Sequence, residues 1–500
     1  MTLPSSARAN QQVDKAAPVA HTALGDLRGL SMAGIAAFHG VPYAAPPVGD
    51  LRFAPAAPIG PWTGQRDATR HGSIPPQLPP LLNAGLRGYG SRAQGEDCLT
   101  LTIRTPAADA KARPVIVWLH GGGWLTGSGS EDRYDSARLA REGDLVFVGV
   151  SYRLGALGWL HRPGIVDAEA GTSDQIMALR WVRDHISAFG GDPGRMTVMG
   201  QSAGAMSIAR LLMLPKARGL FRRVIMQSAG LGRGFHTSAV ATGLADQFLR
   251  LLDIDPHAGD ALTRMRAIEV PDLLRAQGDL ARANTRFLVP FMPVVPAAMT
   301  QTEMLAAIAG GEHGFDGKDM LIGTTADEMQ AHYAADPSML DLSPDAVVAR
   351  FGGETMLARY RARRPGATAL DLLADLGTEE TYARPAVRLA DAVTARGGNT
   401  WRYIFDWSGP TSRLKSCHTI DLPFVFGTLD AWGGSPMLAD GDTAQMADLS
   451  TAVRHAWIAF ARDGAPAHEA LPPWPRHDLA TRPVMRFGAR IGVVNEPEET

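Results

Sequence analysis

Residues 196–213 read MTVMGQSAGAMSIARLLM, and their pattern is the strongest indication of the fold. Its first four residues form a short apolar run that predicts a strand, and residues 203–213 predict a helix that ends before Pro215. Between them, Gly200-Gln201-Ser202-Ala203-Gly204 matches the G-x-S-x-G nucleophile elbow, a sharp turn that exposes a serine between a strand and a helix. The predicted flanking elements are those that the motif requires. We therefore interpret Ser202 as a nucleophile, the alternative being a small-residue turn that packs a helix on a strand.

The rest of the chain predicts strands that alternate with helices. Apolar runs predict strands at residues 115–119, 145–150, 224–226, 320–322 and 401–405, the last being the final sheet-like segment. Thr172 and Gln175 predict a capping box, and apolar residues at helical spacing continue from there to Phe189. This order predicts an α/β fold with a central, mostly parallel, doubly wound sheet.

Two segments, residues 237–277 and 343–396, are rich in Ala, Leu, Arg and Asp with helical spacing. We predict that they are helical insertions that form a lid over an active-site gorge. The expected organisation is a flexible polar terminus at residues 1–20 and a single α/β domain at residues 21–500.

A glycine-rich loop follows the first predicted strand of the sheet. His120-Gly121-Gly122-Gly123-Trp124 matches the HGGG-type loop that accompanies the elbow motif. Acyl transfer places negative charge on a carbonyl oxygen, and backbone N–H groups without side-chain bulk can point at that charge. The candidate donors are Gly122, Gly123 and Ala203. The alternative is a flexible loop at the end of a strand.

A serine nucleophile also requires a general base and a carboxylate that orients the base. On this fold the chain order is serine, acid, histidine. Among the 14 histidines, His418 is the best placed, because it follows the final sheet-like segment, although composition leaves His455 and His477 open. Asp327 and Glu328 follow a predicted strand at the edge where loops present catalytic groups. Spacing alone does not choose between these two carboxylates.

Composition excludes several classes of partner. The 500 residues carry 49 Lys plus Arg against 51 Asp plus Glu, so there is no basic field for nucleic acid. Residues 1–20 lack the pattern of a secretory leader, and no apolar stretch is long enough to span a bilayer, so no membrane association is expected. Cys98 and Cys417 lie far apart, which indicates a reducing compartment. The sequence therefore predicts a cytoplasmic enzyme.

Several further motifs resemble the type-B carboxylesterases, the family of bacterial para-nitrobenzyl esterases and cholinesterases. The resemblance covers nearly the whole chain, and its motifs occur in the family's order. They are Pro46-Pro47-Val48-Gly49-Asp50-Leu51-Arg52-Phe53, Glu96-Asp97-Cys98-Leu99, Tyr152-Arg153-Leu154-Gly155 and Ala188-Phe189-Gly190-Gly191-Asp192-Pro193. The resemblance implies the α/β-hydrolase fold and a triad in which Glu328, the second carboxylate of its pair, acts with His418 and Ser202. It also implies an oxyanion loop roomy enough for esters of bulky alcohols.

The sequence departs from the family pattern at three places. Gln201 replaces a glutamate that many members carry before the serine, which disfavours cationic alcohols as leaving groups. The cysteine that usually lies upstream of Cys98 is absent, so Cys98 is expected to be a free thiol. Residues 293–296 lack the Asp-Gly that commonly follows this segment, so the pocket wall there is expected to differ. Trp124, Gln201 and Phe291 are candidates for the substrate pocket, although Trp124 and Phe291 suit core or lid packing equally well.

These features predict serine-dependent hydrolysis of a small-molecule carboxylic ester through an acyl-enzyme, with no metal or organic cofactor. One alternative is that the same triad hydrolyses carbamates or amides, or transfers the acyl group to another acceptor. An alternative of another class is a non-catalytic, cholinesterase-like binding domain. Such domains typically lack a triad member, whereas all three candidates are present here.

Overall fold

Strands and helices alternate between residues 113 and 227, strands precede this part of the chain, and groups of consecutive helices follow it. The computed structural model describes residues 17–32, 34–79, 92–284, 289–310, 315, 317–334, 339 and 342–496. Its strands are β1 (Val19–Thr22), β2 (Gly25–Arg28), β3 (Leu30–Met32), β4 (Ile35–Pro42), β5 (Gln65–Asp67), β6 (Thr100–Thr105), β7 (Arg113–Leu119), β8 (Val146–Val150), β9 (Gly191–Gln201), β10 (Arg223–Gln227), β11 (His236–Thr237), β12 (Val294–Val295), β13 (Asp319–Thr325), β14 (Asn399–Phe405), β15 (Pro483–Phe487) and β16 (Ile491–Asn495).

Helices cover the sheet and connect its strands. They are α1 (Ala137–Gly143), α2 (Gly155–Trp159), α3 (Ala170–His185), α4 (Ala203–Leu212), α5 (Ser238–Leu251), α6 (Ala261–Ala267), α7 (Val270–Ala283), α8 (Gln301–Gly310), α9 (Gln330–Ala334), α10 (Pro344–Arg350), α11 (Glu354–Arg363), α12 (Ala369–Thr378), α13 (Arg384–Thr394), α14 (Leu422–Phe426) and α15 (Thr443–Asp463). Among the described residues, no helix is both long and apolar enough to cross a bilayer.

Eleven of the described strands form one sheet, in the order β16-β15-β14-β13-β10-β9-β7-β8-β6-β4-β3. The strands from β15 to β8 pair in parallel, while β16 at one edge and β6, β4 and β3 at the other are antiparallel. The carboxyl ends of the parallel strands therefore lie along one edge. Loops that follow β7, β9 and β13 meet there, and this is where open α/β sheets bind ligands.

The sheet is buried on both faces. Along β7, Val115, Val117 and Leu119 pack into the core on the side of α3 and α4, whereas Ile116 and Trp118 pack into the core on the side of α15. All five side chains are fully buried. An unalternating apolar run is what a strand needs when hydrophobic layers lie above and below it.

The structure corrects three details of the sequence interpretation. Val19–Thr22 pairs with Gly25–Arg28 and Ala20 is buried, so residues 19 and 20 do not belong to a flexible terminus; residues 1–16 lie outside the described part of the chain. Thr172 does not cap a helix: it lies inside α3, where its hydroxyl donates to Glu169 Oε2. The segment at residues 401–405 is not the final strand, because β15 and β16 follow it and extend the sheet. Their apolar runs are short and interrupted by polar residues, and β16 forms the edge of the sheet.

Helices occupy both segments that were interpreted as insertions. Helices α5 and α6 lie in the first, and α7 begins in it and ends beyond it at Ala283. Helices α10 to α13 lie in the second, where the Ser343 hydroxyl accepts from Ala346 N and caps α10. Residues of α10, α11 and α12 form a separate apolar cluster around Leu357, Leu372 and Leu373, outside the two main cores. A lid over a gorge remains a prediction for these helices.

Candidate active site

Ser202 lies on the turn between β9 and α4. Its backbone angles, φ 55° and ψ −120°, fall in a region that non-glycine residues rarely adopt. The surrounding backbone maintains this conformation, because Ser202 N donates to Gln227 O at 2.9 Å and Ser202 O accepts from Met206 N at 2.9 Å. The turn leaves the side chain partly exposed at the carboxyl edge of the sheet. Ser202 thus has the strained, accessible position of an elbow nucleophile.

Gly204 allows the elbow and the glycine-rich loop to touch. A Cβ atom at position 204 would lie 1.9 Å from Leu119 O and 2.8 Å from His120 O. Both carbonyls belong to the end of β7 and the start of the loop that follows it. The helix can therefore approach this strand only without a side chain at position 204. This close approach brings the loop beside Ser202.

The glycine-rich loop is held in one shape by its own backbone and by side chains beneath it. Leu125 N and Thr126 N both donate to Gly122 O, and Gly122 has a φ of 109° that suits glycine. The Tyr152 hydroxyl donates to His120 O at 2.7 Å, and its ring stacks on the His120 imidazole with centroids 4.3 Å apart. Burial lowers the pKa of His120 to about 4, so this ring is neutral, and its Nδ1 lies 2.8 Å from Gly121 O in the loop.

The three predicted oxyanion donors leave their backbone N–H groups available. Within the described residues, no hydrogen bond is formed by the N–H groups of Gly122, Gly123 or Ala203. The last of these belongs to the first turn of α4, where N–H groups have no partner within the helix. Unused donors beside a nucleophile are what an incoming negative charge requires.

Glu328 and His418 form a buried pair. Glu328 Oε2 lies 2.5 Å from His418 Nδ1, and the residues are 0% and 4% exposed. The other carboxylate oxygen, Oε1, accepts from Thr325 N at 2.8 Å. Because an ionised carboxylate only accepts hydrogen bonds, the proton of a neutral imidazole resides on Nδ1 and leaves a lone pair on Nε2.

Asp327, the other member of the carboxylate pair, bonds to the loop of His418 and not to its ring. Its N–H donates to Ser416 O at 2.9 Å, and its Oδ2 accepts from Ser416 N at 3.2 Å. Ser416 lies two residues before His418, so Asp327 joins the loop of the acid to the loop of the histidine. Burial raises the pKa of Asp327, while this backbone bond and nearby cations lower it.

Gln201, a residue of the elbow, contacts the His418 ring nitrogen that does not face Glu328. Gln201 Nε2 lies 3.2 Å from His418 Nε2, and both side chains are buried. Among the described residues, the Ser202 hydroxyl makes no hydrogen bond to His418, so the amide next to the serine occupies the ring nitrogen instead. The structure thus brings His418 to the elbow with Nε2 facing it.

A second polar layer lies beneath these residues, and sequence reasoning missed it. Gln227 Nε2 donates to Asp421 Oδ2 at 2.7 Å, and the Tyr403 hydroxyl reaches the same oxygen at 3.4 Å. Burial raises the pKa of Asp421 to about 6. Asp421 lies three residues after His418, a spacing that signals proximity but not this partner.

Two rings flank the His418 imidazole and were also missed. The His332 and Tyr382 rings have centroids 5.4 and 5.2 Å from that of His418. Burial lowers the pKa of His332 well below its usual value and raises that of Tyr382. Both rings are therefore neutral near pH 7. The only sequence signal is that His332 lies four residues after Glu328.

The remaining candidates lie elsewhere or are packed into the core. His477 pairs with Asp391, and His455 lies 3.6 Å from Glu142, so neither joins this site.

Trp124 is 3% exposed with its Nε1 donating to Ser207 Oγ at 2.9 Å. Phe291 is also 3% exposed, and its ring packs against Phe248. A pocket role for Trp124 or Phe291 stays a prediction. Cys98 and Cys417 are buried free thiols, as expected for Cys98.

Comparison with known proteins identifies the family of this chain. The carboxylesterase family profile matches residues 16–499. The chain is 38% identical to phenmedipham hydrolase from Pseudarthrobacter oxydans over 92% of both proteins, and 36% identical to para-nitrobenzyl esterase from Bacillus subtilis (strain 168) over 95% of this chain and 96% of that one. The crystal structure of a Geobacillus stearothermophilus carboxylesterase matches with a TM-score of 0.83 and 35% identity, covering 96% of this chain and 98% of the other. The chain belongs to the carboxylesterase family, has the α/β-hydrolase fold and is an enzyme that hydrolyses carboxylic esters.

Proposed function

We propose that Ser202, His418 and Glu328 form the catalytic triad of this esterase. The observation that carries the proposal is the buried Glu328 Oε2 to His418 Nδ1 hydrogen bond of 2.5 Å on a ring whose Nε2 faces the elbow. This arrangement supports His418 as a general base, because Glu328 fixes the tautomer with the lone pair on Nε2. Glu328 stays ionised throughout and stabilises the imidazolium that forms during the reaction.

The proposed reaction passes through an acyl-enzyme. Ser202 Oγ attacks the ester carbonyl as its proton passes to His418 Nε2, and the N–H groups of Gly122, Gly123 and Ala203 bind the resulting oxyanion. The alcohol leaves with the proton from His418. Water, activated by the same ring, then releases the acid and restores Ser202. No step in this cycle requires a metal or an organic cofactor.

The substrate is a small ester, and its physiological identity is a matter for direct measurement. The neutral Gln201 beside the nucleophile supports uncharged rather than cationic alcohol groups. The same acyl-enzyme chemistry serves carbamates, amides and acyl transfer, which remain the second candidate activity. A panel of kcat/KM values over acyl length, aryl and alkyl alcohols, carbamates and anilides ranks these classes.

The location of the enzyme is proposed from its cysteines. Both thiols are free and buried, which supports a reducing compartment such as the cytoplasm. Esterase assays on the cytoplasmic and exported fractions of cells that make the enzyme test this: the activity is expected in the cytoplasmic fraction, and its recovery in the exported fraction would contradict the proposal.

The nucleophile of the triad is tested by one substitution and a covalent label. Ser202→Ala is expected to lower kcat for 4-nitrophenyl butyrate by about 10⁴-fold or more while the protein stays folded. A fluorophosphonate probe is expected to label Ser202 in the wild-type enzyme and to leave Ser202→Ala unlabelled. Undiminished turnover or labelling of Ser202→Ala would contradict the assignment.

A further inference from the structure

Gln201 fills the space between the oxyanion loop and the catalytic imidazole. Its side chain is buried, its Nε2 lies 3.2 Å from His418 Nε2, and its Oε1 lies against Gly121. A Cβ atom at position 121 would be 2.5 Å from that Oε1 and 3.3 Å from Ser202 Cβ. The first glycine of the loop therefore makes room for the carboxamide. From its place in the elbow, Gln201 thus reaches both the glycine loop and the ring of His418.

The direction of the Gln201 hydrogen bond depends on the protonation state of the ring. Because Nδ1–H of His418 is directed at Glu328, an amide N–H can bond to Nε2 only when Nε2 carries a lone pair. A proton on Nε2 would instead require an acceptor, which the carboxamide offers only after rotating its oxygen into this position. A hydrogen bond to the neutral form of a group favours that form. The observed contact therefore favours the ring in the state that can accept a proton.

We propose that Gln201 is a positioning residue that holds His418 in its general-base form in the free enzyme and yields Nε2 to the Ser202 hydroxyl when an ester binds. This inference rests on the proposed triad. In the exchange, the amide N–H leaves the lone pair of Nε2 and the hydroxyl takes its place. The Oγ–H bond then breaks as the Nε2–H bond forms, and the bond from Oγ to the acyl carbon forms as the π pair of the carbonyl moves to its oxygen to give the oxyanion. After deacylation, Nε2 is unprotonated again and the amide returns to it.

The charges around the ring explain why a neutral amide matters at this position. The groups that face His418 are the carboxylate of Glu328, the buried Asp421, and the rings of His332 and Tyr382, which are neutral. A carboxylate at position 201 would add a negative charge directly at Nε2. That charge would pair with the imidazolium and favour the protonated ring, which cannot act as a base. Methionine at position 201 would keep a side chain of similar volume and remove the N–H that donates to Nε2.

The test is the pH dependence of kcat/KM, because its acid limb reports the base of the free enzyme. The variants are Gln201→Glu and Gln201→Met, measured with 4-nitrophenyl butyrate. We expect the acid limb of Gln201→Glu to move to higher pH by about one unit or more. In Gln201→Met the acid limb moves in the same direction but less far, and kcat falls by about 10-fold because the ring is less well oriented.

Gln175→Met is the matched control. Gln175 is a buried glutamine that donates to Ser207 Oγ at 3.0 Å, and its loss is expected to leave the acid limb in place.

A packing role for Gln201 predicts a different result. Activity would then fall by the same factor at every pH in both variants, with the acid limb unmoved, and the inference would be overturned. If Gln201→Glu does not fold, as judged by its thermal melt, the limb of Gln201→Met decides. Labelling by a fluorophosphonate separates the two proposals: an unlabelled, inactive wild-type enzyme contradicts the triad, whereas a labelled, active enzyme with unmoved limbs contradicts only the role of Gln201.

Discussion

Asp327 and Ser416 are joined by two hydrogen bonds, Asp327 N to Ser416 O at 2.9 Å and Ser416 N to Asp327 Oδ2 at 3.2 Å. Together with the backbone bond from His418 N to Glu328 O at 3.3 Å, this pair sets the spacing between the loop that carries Glu328 and the loop that carries His418. The 2.5 Å contact between the acid and the base depends on that spacing. One residue of the adjacent carboxylate pair therefore holds the loops together, while its neighbour takes part in the proposed chemistry.

Asp327→Ala is expected to lower kcat by about 10-fold with little change in KM. The change removes the acceptor for Ser416 N, a bond worth about 1 kcal/mol, and loosens the placement of the imidazole. Asp327→Asn keeps an acceptor oxygen and is expected to stay within about threefold of wild type. Steady-state kinetics with 4-nitrophenyl butyrate measures both. Equal losses in the two variants would mean that the charge of Asp327, not this bond, is what matters.

Glu328→Gln is expected to lower kcat by about 10³- to 10⁴-fold while leaving the fold intact. The amide can still accept from Thr325 N, but it no longer stabilises the imidazolium or selects the tautomer. Glu131→Gln is a matched control, since Glu131 is also a shielded carboxylate and pairs with Arg133 at 2.8 Å. Kinetics and circular dichroism follow both variants. A small loss in Glu328→Gln would remove Glu328 from the triad.

Gly204→Ala is expected to destabilise the protein by about 3 kcal/mol or to prevent its accumulation. Its Cβ would lie 1.9 Å from Leu119 O, and the backbone of a central strand cannot move away easily. Gly243→Ala is the control, because position 243 lies on an exposed face of α5 with no atom within 4 Å of a new Cβ. This second change is expected to add about 0.5–1 kcal/mol to the free energy of unfolding. Urea unfolding of wild type and the two variants tests the contrast. A Gly204→Ala variant as stable as wild type would refute the close contact with Leu119 O.

Asp421→Asn is expected to stabilise the enzyme above pH 6 and not at pH 4. Burial raises the pKa of Asp421 to about 6 in the folded state from 3.8. Between these values the folded state binds the proton and the unfolded state does not, so stability falls as pH rises through this window. The loss amounts to about 2–3 kcal/mol above pH 6, and an asparagine avoids it while still accepting from Gln227. Urea unfolding of wild type and Asp421→Asn at pH 4 and pH 8 measures the change in the free energy of unfolding. The same change at both pH values would show that folding does not raise the pKa of Asp421.

Local chemistry explains how much of the site can be predicted from the sequence. The strand, the elbow and the helix around Ser202 follow from residues that are neighbours in the chain, because apolar runs, glycines and helix periodicity act over a few positions. The same holds for the glycine loop at residues 121–123. The resemblance to carboxylesterases then selects Glu328 over Asp327, a choice that spacing leaves open. The structure pairs Glu328 with His418 and Asp327 with Ser416.

The fold class, the elbow, the glycine loop and the resemblance to a family can thus be read from the amino-acid sequence. Which atoms meet depends on the folded chain: Gln201 at His418 Nε2, Asp421 against Gln227, and the His332 and Tyr382 rings beside the imidazole. The physical reason is that these partners come from different strands and loops, in one case more than 200 residues apart. Periodicity reports the conformation of a segment, whereas contacts between segments depend on how the sheet orders its strands and how closely the loops at their carboxyl ends pack.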